Sequence, residues 1–377
     1  MKQIVKAFKC RLYPTKQQEQ RLQKTFGCTR FVYNHLLHLA LERKKLSKVA
    51  KHYFPSKADF VNSVALLKEV FAFLKEVDSI ALQASAEALH EAFSRYFNKQ
   101  NRFPNFKKHS SFKSYTTKTV NHNIRFVTKH RITLPKLGSV RLKNSFGDAL
   151  TTGQIQRATI SQEADGAYYL SILVKNVPVH DLPKTNVNQG IDLGLAHFAA
   201  LSDGVFLEAP RALFHYEHQL KQAQRTLSRR IARAKKEKRA LHDSKNVQKA
   251  RQQVARLHAK IKHVRQDFLQ KASTALVRAY DVLALEALNV RDMLQSTYAK
   301  GISDASWAQF KTMLHYKALW YGKTVKWVNP AYTSQTCNKC GDIDQMNRFG
   351  QQFRCTKCHH EDHADTNAAK NILKAAR

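Results

Sequence analysis

No stretch of this 377-residue chain is long and apolar enough to span a bilayer, and its start, Met1-Lys-Gln-Ile-Val-Lys-Ala-Phe-Lys9, lacks the apolar block of a secretion signal. The expectation is a cytoplasmic protein. Acidic residues are scarce: 28 Asp and Glu stand against 64 Lys and Arg, a formal net charge of +36. A solvated surface of mixed charge explains a small excess of one sign, but an imbalance this large needs a polyanion to relieve self-repulsion, and nucleic acid is the natural one. A membrane partner is not expected, because the basic helices carry apolar seams suited to packing against protein. Cysteine is sparse too. Four of the six crowd into Cys337–Cys358, which in a cytoplasmic chain argues for metal, and leaves Cys10 and Cys28 as buried small residues. Internal repeats and low-complexity tracts are absent, and the length suits two or three domains.

What is present reads as alternating structural blocks. Ile4 to Leu12 has strand alternation, and Pro14 with Thr15-Lys-Gln-Gln-Glu19 marks a turn into a helix. Helical spacing then runs to about Asn98, with core stripes at Val32, Leu36 and Leu39 and at Leu82, Ala86, Leu89, Phe93 and Phe97. Arg102 to Tyr115 interleaves cations and aromatics in a segment too irregular for helix or strand. Such a loop can clamp phosphates and stack on bases, with Arg102, Lys107 and Lys108 as candidate contacts; a solvated loop tethered by its aromatics is the plainer alternative. From Ile124 to Val174 strands return, with Tyr168, Leu170, Ile172 and Val174 on one face. Together with the first strand they could close a small barrel interrupted by the helical block.

Tyr216 to Arg265 holds 16 Lys or Arg against 3 Asp or Glu, with Val247, Ala250, Val254, Leu257, Ile261 and Val264 spaced by threes and fours. Leu241-His-Asp-Ser-Lys245 turns it back into a helical hairpin with an apolar seam and a cationic outside. Arg229, Arg230, Lys235 and Lys236 are candidate phosphate contacts, each alternatively a solvated surface charge. Arg291 to Ser303 reads as a mobile loop able to cover a site, Ala305 to Tyr321 as a helix, and Thr324 to Val328 as a buried strand.

Asn188 to Phe206 reads as a strand through Ile191, Leu193 and Leu195, a return at Ala199–Leu201 and a tight turn at Asp203-Gly204. Asp192 is the acid inside it. A buried carboxylate needs a positive partner, so Asp192 is either a cation ligand or a structural strand cap. Two further acids favour the first reading: Glu286 ends the apolar strand Asp281–Glu286, and Asp365 lies in the first turn of a short helix. Such a trio can hold two Mg²⁺ ions about 3.5–4 Å apart for phosphodiester hydrolysis, with Mn²⁺ as a substitute. Cys337-x₂-Cys340, fourteen residues, then Cys355-x₂-Cys358 presents four thiolates for one tetrahedral Zn²⁺, with Gly341 permitting the turn. Four thiolates leave no open position, so this zinc is structural; His359, His360 and His363 need no metal.

These segments together resemble the OrfB/TnpB proteins of insertion sequences, relatives of the type V CRISPR effectors. The resemblance is carried by Phe26–Asn34, Arg102–Lys108, Gly190-Ile-Asp-Leu-Gly194, Asp267-Phe-Leu through Glu286-Ala-Leu-Asn-Val290, Ser303–Trp307, Tyr332–Gln335, the four cysteines and Asp365-Thr-Asn-Ala-Ala369. It implies an RNA-guided DNA endonuclease whose α/β, RuvC-like (RNase H) nuclease domain spans 185–332 and 361–377. It also implies a zinc ribbon at 333–360, a wedge-type β-barrel at 1–14 and 113–184, and a helical recognition insertion at 15–112, with the basic hairpin at 214–265. Asp192, Glu286 and Asp365 match the three RuvC acids. The partners implied are a guide RNA from the transposon end and double-stranded target DNA, cut beside a short motif by a monomeric protein in its RNA complex, nucleoid-associated when on DNA. A non-cleaving nucleic-acid-binding regulator and a strand-transfer transposase are the alternatives.

Overall fold

Alternate burial of Phe8, Cys10 and Leu12 draws Lys2–Tyr13 into strand β1. Thr15 and Gln18 then bond each other's backbone N–H groups at 3.0 and 3.3 Å and open helix α1 (Lys16–Leu46). The computed structural model describes residues 2–46, 55–109, 113–144, 146, 150, 152–293, 295 and 297–376. By contacts the chain divides into two units, Gln3–Pro178 and Val179–Arg377 with Met1–Lys2.

In the first unit, Ser56 and Asp59 form a reciprocal cap on α2 (Lys57–Val70), and Asp78 caps α3 (Ser79–Phe97). These helices share a core of Val32, Leu36, Leu37, Phe60, Val64, Leu82, Leu89 and Phe93. Two expected stripe members fall outside it: Leu39 is 41% exposed and Phe97 56%. The strands β2 (Lys113–Lys118), β3 (Arg125–Thr128), β4 (Arg131–Leu134), β5 (Gly138–Lys143), β6 (Gln154–Gln162) and β7 (Tyr168–Val179) join β1 in one sheet of order β2-β6-β7-β1-β5-β4-β3. Tyr168, Leu170, Ile172 and Val174 are all buried on its inner face. The irregular loop expected over Arg102–Tyr115 ends earlier, since Lys113–Tyr115 already pair with β6; Ser110–Phe112 lie outside the described residues.

The second unit is built on a mixed five-stranded sheet. It contains β8 (Asn188–Asp192), β9 (Ala199–Leu201), β10 (Phe206–Leu207), α4 (Ala212–Lys236), α5 (Lys245–Ala279), β11 (Val282–Glu286), α6 (Val290–Met293), α7 (Ala299–Ala305), α8 (Trp307–Tyr321) and β12 (Thr324–Val328). The sheet order is β10-β9-β8-β11-β12, with β8, β11 and β12 parallel, β9 antiparallel to β8 and β10 antiparallel to β9. Parallel neighbours need long crossovers, and α4–α5 and α6–α8 supply them. Leu220, Leu257 and Ile261 seal the α4–α5 seam, and Ser244, within the expected turn, caps α5.

Three expectations change here. β8 stops at Asp192, leaving Leu193 and Leu195 beyond the ladder; Leu195 is 41% exposed. β12 is an edge strand, so Trp327 is 42% exposed and Val328 is its buried residue. The segment Arg291–Ser303 is largely helical, forming α6 and much of α7, while Leu294 and Ser296 lie outside the described residues. The chain ends in the short strands β13 (Arg348–Phe349), β14 (Gln352–Arg354) and β15 (Glu361–His363) and helix α9 (Ala364–Ala375).

Candidate functional site

Register alone puts two acids side by side. Ile191 of β8 pairs with Leu285 of β11, so Asp192 and Glu286 follow together at the carboxyl ends of adjacent parallel strands, where open α/β sheets bind ligands. Helix α9 brings the third. It lies against β8 so closely that a Cβ on Gly190 would sit 2.0 Å from the Ala369 carbonyl oxygen, and only glycine permits that approach. His363 caps α9, its Nδ1 accepting from the Asp365 N–H at 3.2 Å, which sets Asp365 in the first turn.

Asp192 feels the other two carboxylates. Asp192 is raised from 3.8 to about 7, chiefly by desolvation and then by the charges of Glu286 and Asp365, against weaker help from Arg348 and the Leu193 N–H. Burial also raises Glu286, opposed by the Thr333 hydroxyl, which donates to Oε1, and by the charge of Lys311. Lys311 Nζ is itself held by the Glu286 and Leu288 carbonyls at 3.1 and 3.2 Å. Among the described residues, the group whose ligand atoms all lie within 4.8 Å of one another is the four cysteines, so the carboxylates are spread more widely than a single-ion cage. Hard oxygen donors that repel one another fit Mg²⁺ or Mn²⁺, which would relieve the strain on Asp192.

The cysteine cluster could hold zinc. Cys337 and Cys358 sulfurs are 3.7 Å apart and those of Cys340 and Cys355 3.5 Å, close to the ~3.8 Å edge of a tetrahedron with Zn–S bonds of about 2.3 Å. In the first knuckle Gly341, at φ 79°, returns its N–H to the Cys337 carbonyl at 2.9 Å. In the second, His359 takes the equivalent left-handed place at φ 54°, its N–H on the Cys355 carbonyl at 3.0 Å. His360 and His363 are engaged elsewhere, by Asn338 and by the α9 cap.

Sequence reasoning gave no role to the residues that tie this ribbon to the acids, though Thr333 and Asn367 fall in the family motifs. Asn367 is fully buried; its Nδ2 donates to the Thr336 carbonyl at 2.8 Å and its Oδ1 accepts from the Asn338 N–H at 3.0 Å. One turn later Asn371 donates to the Thr333 and Thr336 carbonyls at 3.0 and 2.6 Å. Thr333 in turn holds Glu286, and Arg348 from β13 contacts Asp365 at 2.7 Å. Two polar residues four apart on an otherwise apolar helix face were the available signal for the asparagines; Arg348 carried none.

The candidate phosphate contacts divide between the units. Arg102, Lys107 and Lys108 belong to the first, where Asn34 pins the Lys107 backbone by two hydrogen bonds at 2.8 and 2.9 Å and Lys107 Nζ sits 3.8 Å from the Tyr33 ring centre. Arg229, Arg230, Lys235 and Lys236 are exposed on α4, and Arg230 donates to the Asn246 carbonyl at 2.9 Å across the hairpin.

This mixed α/β fold is of the TnpB/Cas12 kind. It superposes on a chain of the cryo-EM Cas12f1–sgRNA–target DNA complex with a TM-score of 0.53 and 15% identity, covering 98% of this chain and 99% of that one. Family models match over residues 1–48 ("Helix-turn-helix domain"), 171–297 ("Probable transposase", of the OrfB family) and 307–372 ("Cas12f1-like, TNB domain"). The first label notwithstanding, residues 2–46 form a strand and one long helix. Two proteins named "Putative RNA-guided DNA endonuclease" are similar along their length. One, from Streptomyces pristinaespiralis, is 33% identical over 100% of this chain and 90% of its own; the other, InsQ of Escherichia coli K12, is 32% identical over 98% and 92%. The chain belongs to the OrfB/TnpB family.

Proposed function

We propose that this chain is an RNA-guided, Mg²⁺-dependent DNA endonuclease of a transposable element, with a RuvC-like site formed by Asp192, Glu286 and Asp365. The observation that carries the reading is the placing of acids from β8, β11 and α9 at one end of the sheet, where burial first, and then the charges of Glu286 and Asp365, raise Asp192 to about 7. In this reading the seven-stranded sheet of the first unit is the wedge barrel and α1–α3 its recognition insertion. The names and the solved complex of the relatives support an RNA guide and a DNA target.

Each residue has a defined task. Asp192, Glu286 and Asp365 supply oxygen donors to two divalent cations, which when bound activate water and stabilise the leaving oxygen. Thr333 fixes the rotamer of Glu286, while the Asn367–Asn371 clamp and Gly190 hold α9 so that Asp365 faces Asp192. The zinc ribbon, closed by four thiolates, is structural. The exposed cations of α4, with Arg102, Lys107 and Lys108, contact phosphates, leaving sequence to base pairing between a transposon-end guide RNA and the target. The test is incubation of the purified RNA complex with a plasmid library of randomised flanking motifs and MgCl₂. Linear product beside one short motif is expected. Binding without product would mark a regulator, and joined donor–target products a transposase.

A further inference from the structure

The guanidinium of Arg348 pairs with Asp365 and acts electrostatically on Asp192. Its Nη2 lies 2.7 Å from Asp365 Oδ1, and its Nε reaches the Gly350 carbonyl at 3.3 Å, bracing the side chain across the β13–β14 turn. Asp365 is 12% exposed and Arg348 33%, so the pair is only partly screened by water. The same guanidinium opposes the raised proton affinity of Asp192. Lys311 serves Glu286 instead.

The ribbon does not need this contact to stay attached. Asn338, Asn367, Asn371 and Thr333 hold its root through neutral hydrogen bonds, and β14 pairs with β15 immediately before α9. Arg348 therefore meets Asp365 from a hairpin that has other attachments to α9.

Resting on the reading of the three acids as metal ligands, we propose that Arg348 is a placeholder cation: in the metal-free protein it occupies the Asp365 carboxylate and competes with a divalent ion for it. A carboxylate oxygen already accepting a charge-assisted bond has fewer lone pairs for a metal, and a fixed positive charge repels an arriving dication. Both effects weaken metal loading until another anion draws the guanidinium away. A phosphodiester entering the site is such an anion, with the planar, bidentate geometry that arginine matches and lysine does not. Arg348 thereby makes metal loading conditional on the presence of a nucleic-acid strand. Toward the metal it acts through Asp365, as a positioning residue, and toward the incoming strand it acts by direct contact with a phosphate.

The experiment is calorimetric titration of MnCl₂ into the full-length, zinc-loaded protein–RNA complex without target DNA, comparing wild type, Arg348→Gln, Arg348→Met and Arg348→Lys. Removing the charge is expected to tighten Mn²⁺ binding roughly tenfold, the residual solvent screening setting the scale, while the lysine variant stays within about threefold of wild type. Adding Asp365→Asn to Arg348→Gln is expected to abolish the gain. Zinc content and melting temperature report whether each variant folds, and the isosteric methionine stands in if glutamine does not. Unchanged or weaker Mn²⁺ affinity in a folded neutral variant overturns the placeholder and leaves the acids as ligands. Mn²⁺ binding that survives both Asp192→Asn and Asp365→Asn overturns the metal site itself, and the proposal with it.

Discussion

Replacing Asp192 by asparagine should make the metal-free protein more stable, and only above mildly acidic pH. The folded carboxyl is raised from 3.8 to about 7 by desolvation and by the charges of Glu286 and Asp365. A carboxyl so moved holds its proton about three powers of ten more tightly when folded, roughly 4 kcal/mol, which the partial exposure of Asp192 cuts to about 2–3 kcal/mol. Below pH 3.8 both folded and unfolded chains are protonated, and the group costs nothing. Between 3.8 and about 7 the unfolded chain has released a proton that the folded chain keeps, so stability declines as pH rises; above 7 the full cost is present. Asparagine preserves the shape and removes the charge. The assay is urea unfolding of wild type and Asp192→Asn in magnesium-free, chelator-free buffer, so that the ribbon keeps its zinc. The variant should gain about 2–3 kcal/mol near pH 8 and almost nothing near pH 4, and millimolar Mg²⁺ should narrow the gap by stabilising wild type alone. Equal stability at both pH values would refute the claim that Asp192 is held, desolvated, beside other carboxylates.

Gly190→Ala forces a methyl into the 2.0 Å approach to the Ala369 carbonyl, so a loss of about 2–3 kcal/mol in urea unfolding is expected together with loss of cleavage; an unchanged midpoint would show that α9 does not need this contact. Asn371→Ala strips its amide donor from the Thr333 and Thr336 carbonyls and should cost about 2 kcal/mol, measured the same way. Cys337→Ser should lower the melting temperature and release zinc on mild chelation while leaving Mn²⁺ binding at the acids measurable; a wild-type melt would contradict a structural metal. Neutralising Arg229, Arg230, Lys235 and Lys236 together should reduce the slope of log affinity against log salt by about three to four, and an unchanged slope would remove α4 from the nucleic-acid surface.

What the sequence disclosed were features set by local periodicity and spacing. Four cysteines in two x₂ pairs, the Asp203-Gly204 turn and the stripe from Val247 to Val264 each describe a structure that neighbouring residues nearly determine, and each is found in place. The acids were visible as charges at the ends of apolar strands and in the first turn of a helix. What holds them was not, because those contacts join residues far apart: Thr333 to Glu286, Asn367 to Thr336, Arg348 to Asp365. Gly190 was legible only as part of a motif; its reason is the helix carbonyl pressed against it. The exposure of Trp327 escaped for a similar cause, since an apolar pentapeptide does not say whether its strand is central or at the edge.

The central claim is that Asp192, Glu286 and Asp365 act together on a phosphodiester under the direction of a bound RNA. The most direct measurement is cleavage of a matched DNA target by purified RNA complexes of wild type and of Asp192→Ala, Glu286→Ala and Asp365→Ala in MgCl₂, with RNA binding measured alongside. Each single variant should keep its RNA and lose cleavage by about a thousandfold or more, a double variant being little worse because the three serve as a unit. Wild-type rates in any of the three would contradict the account.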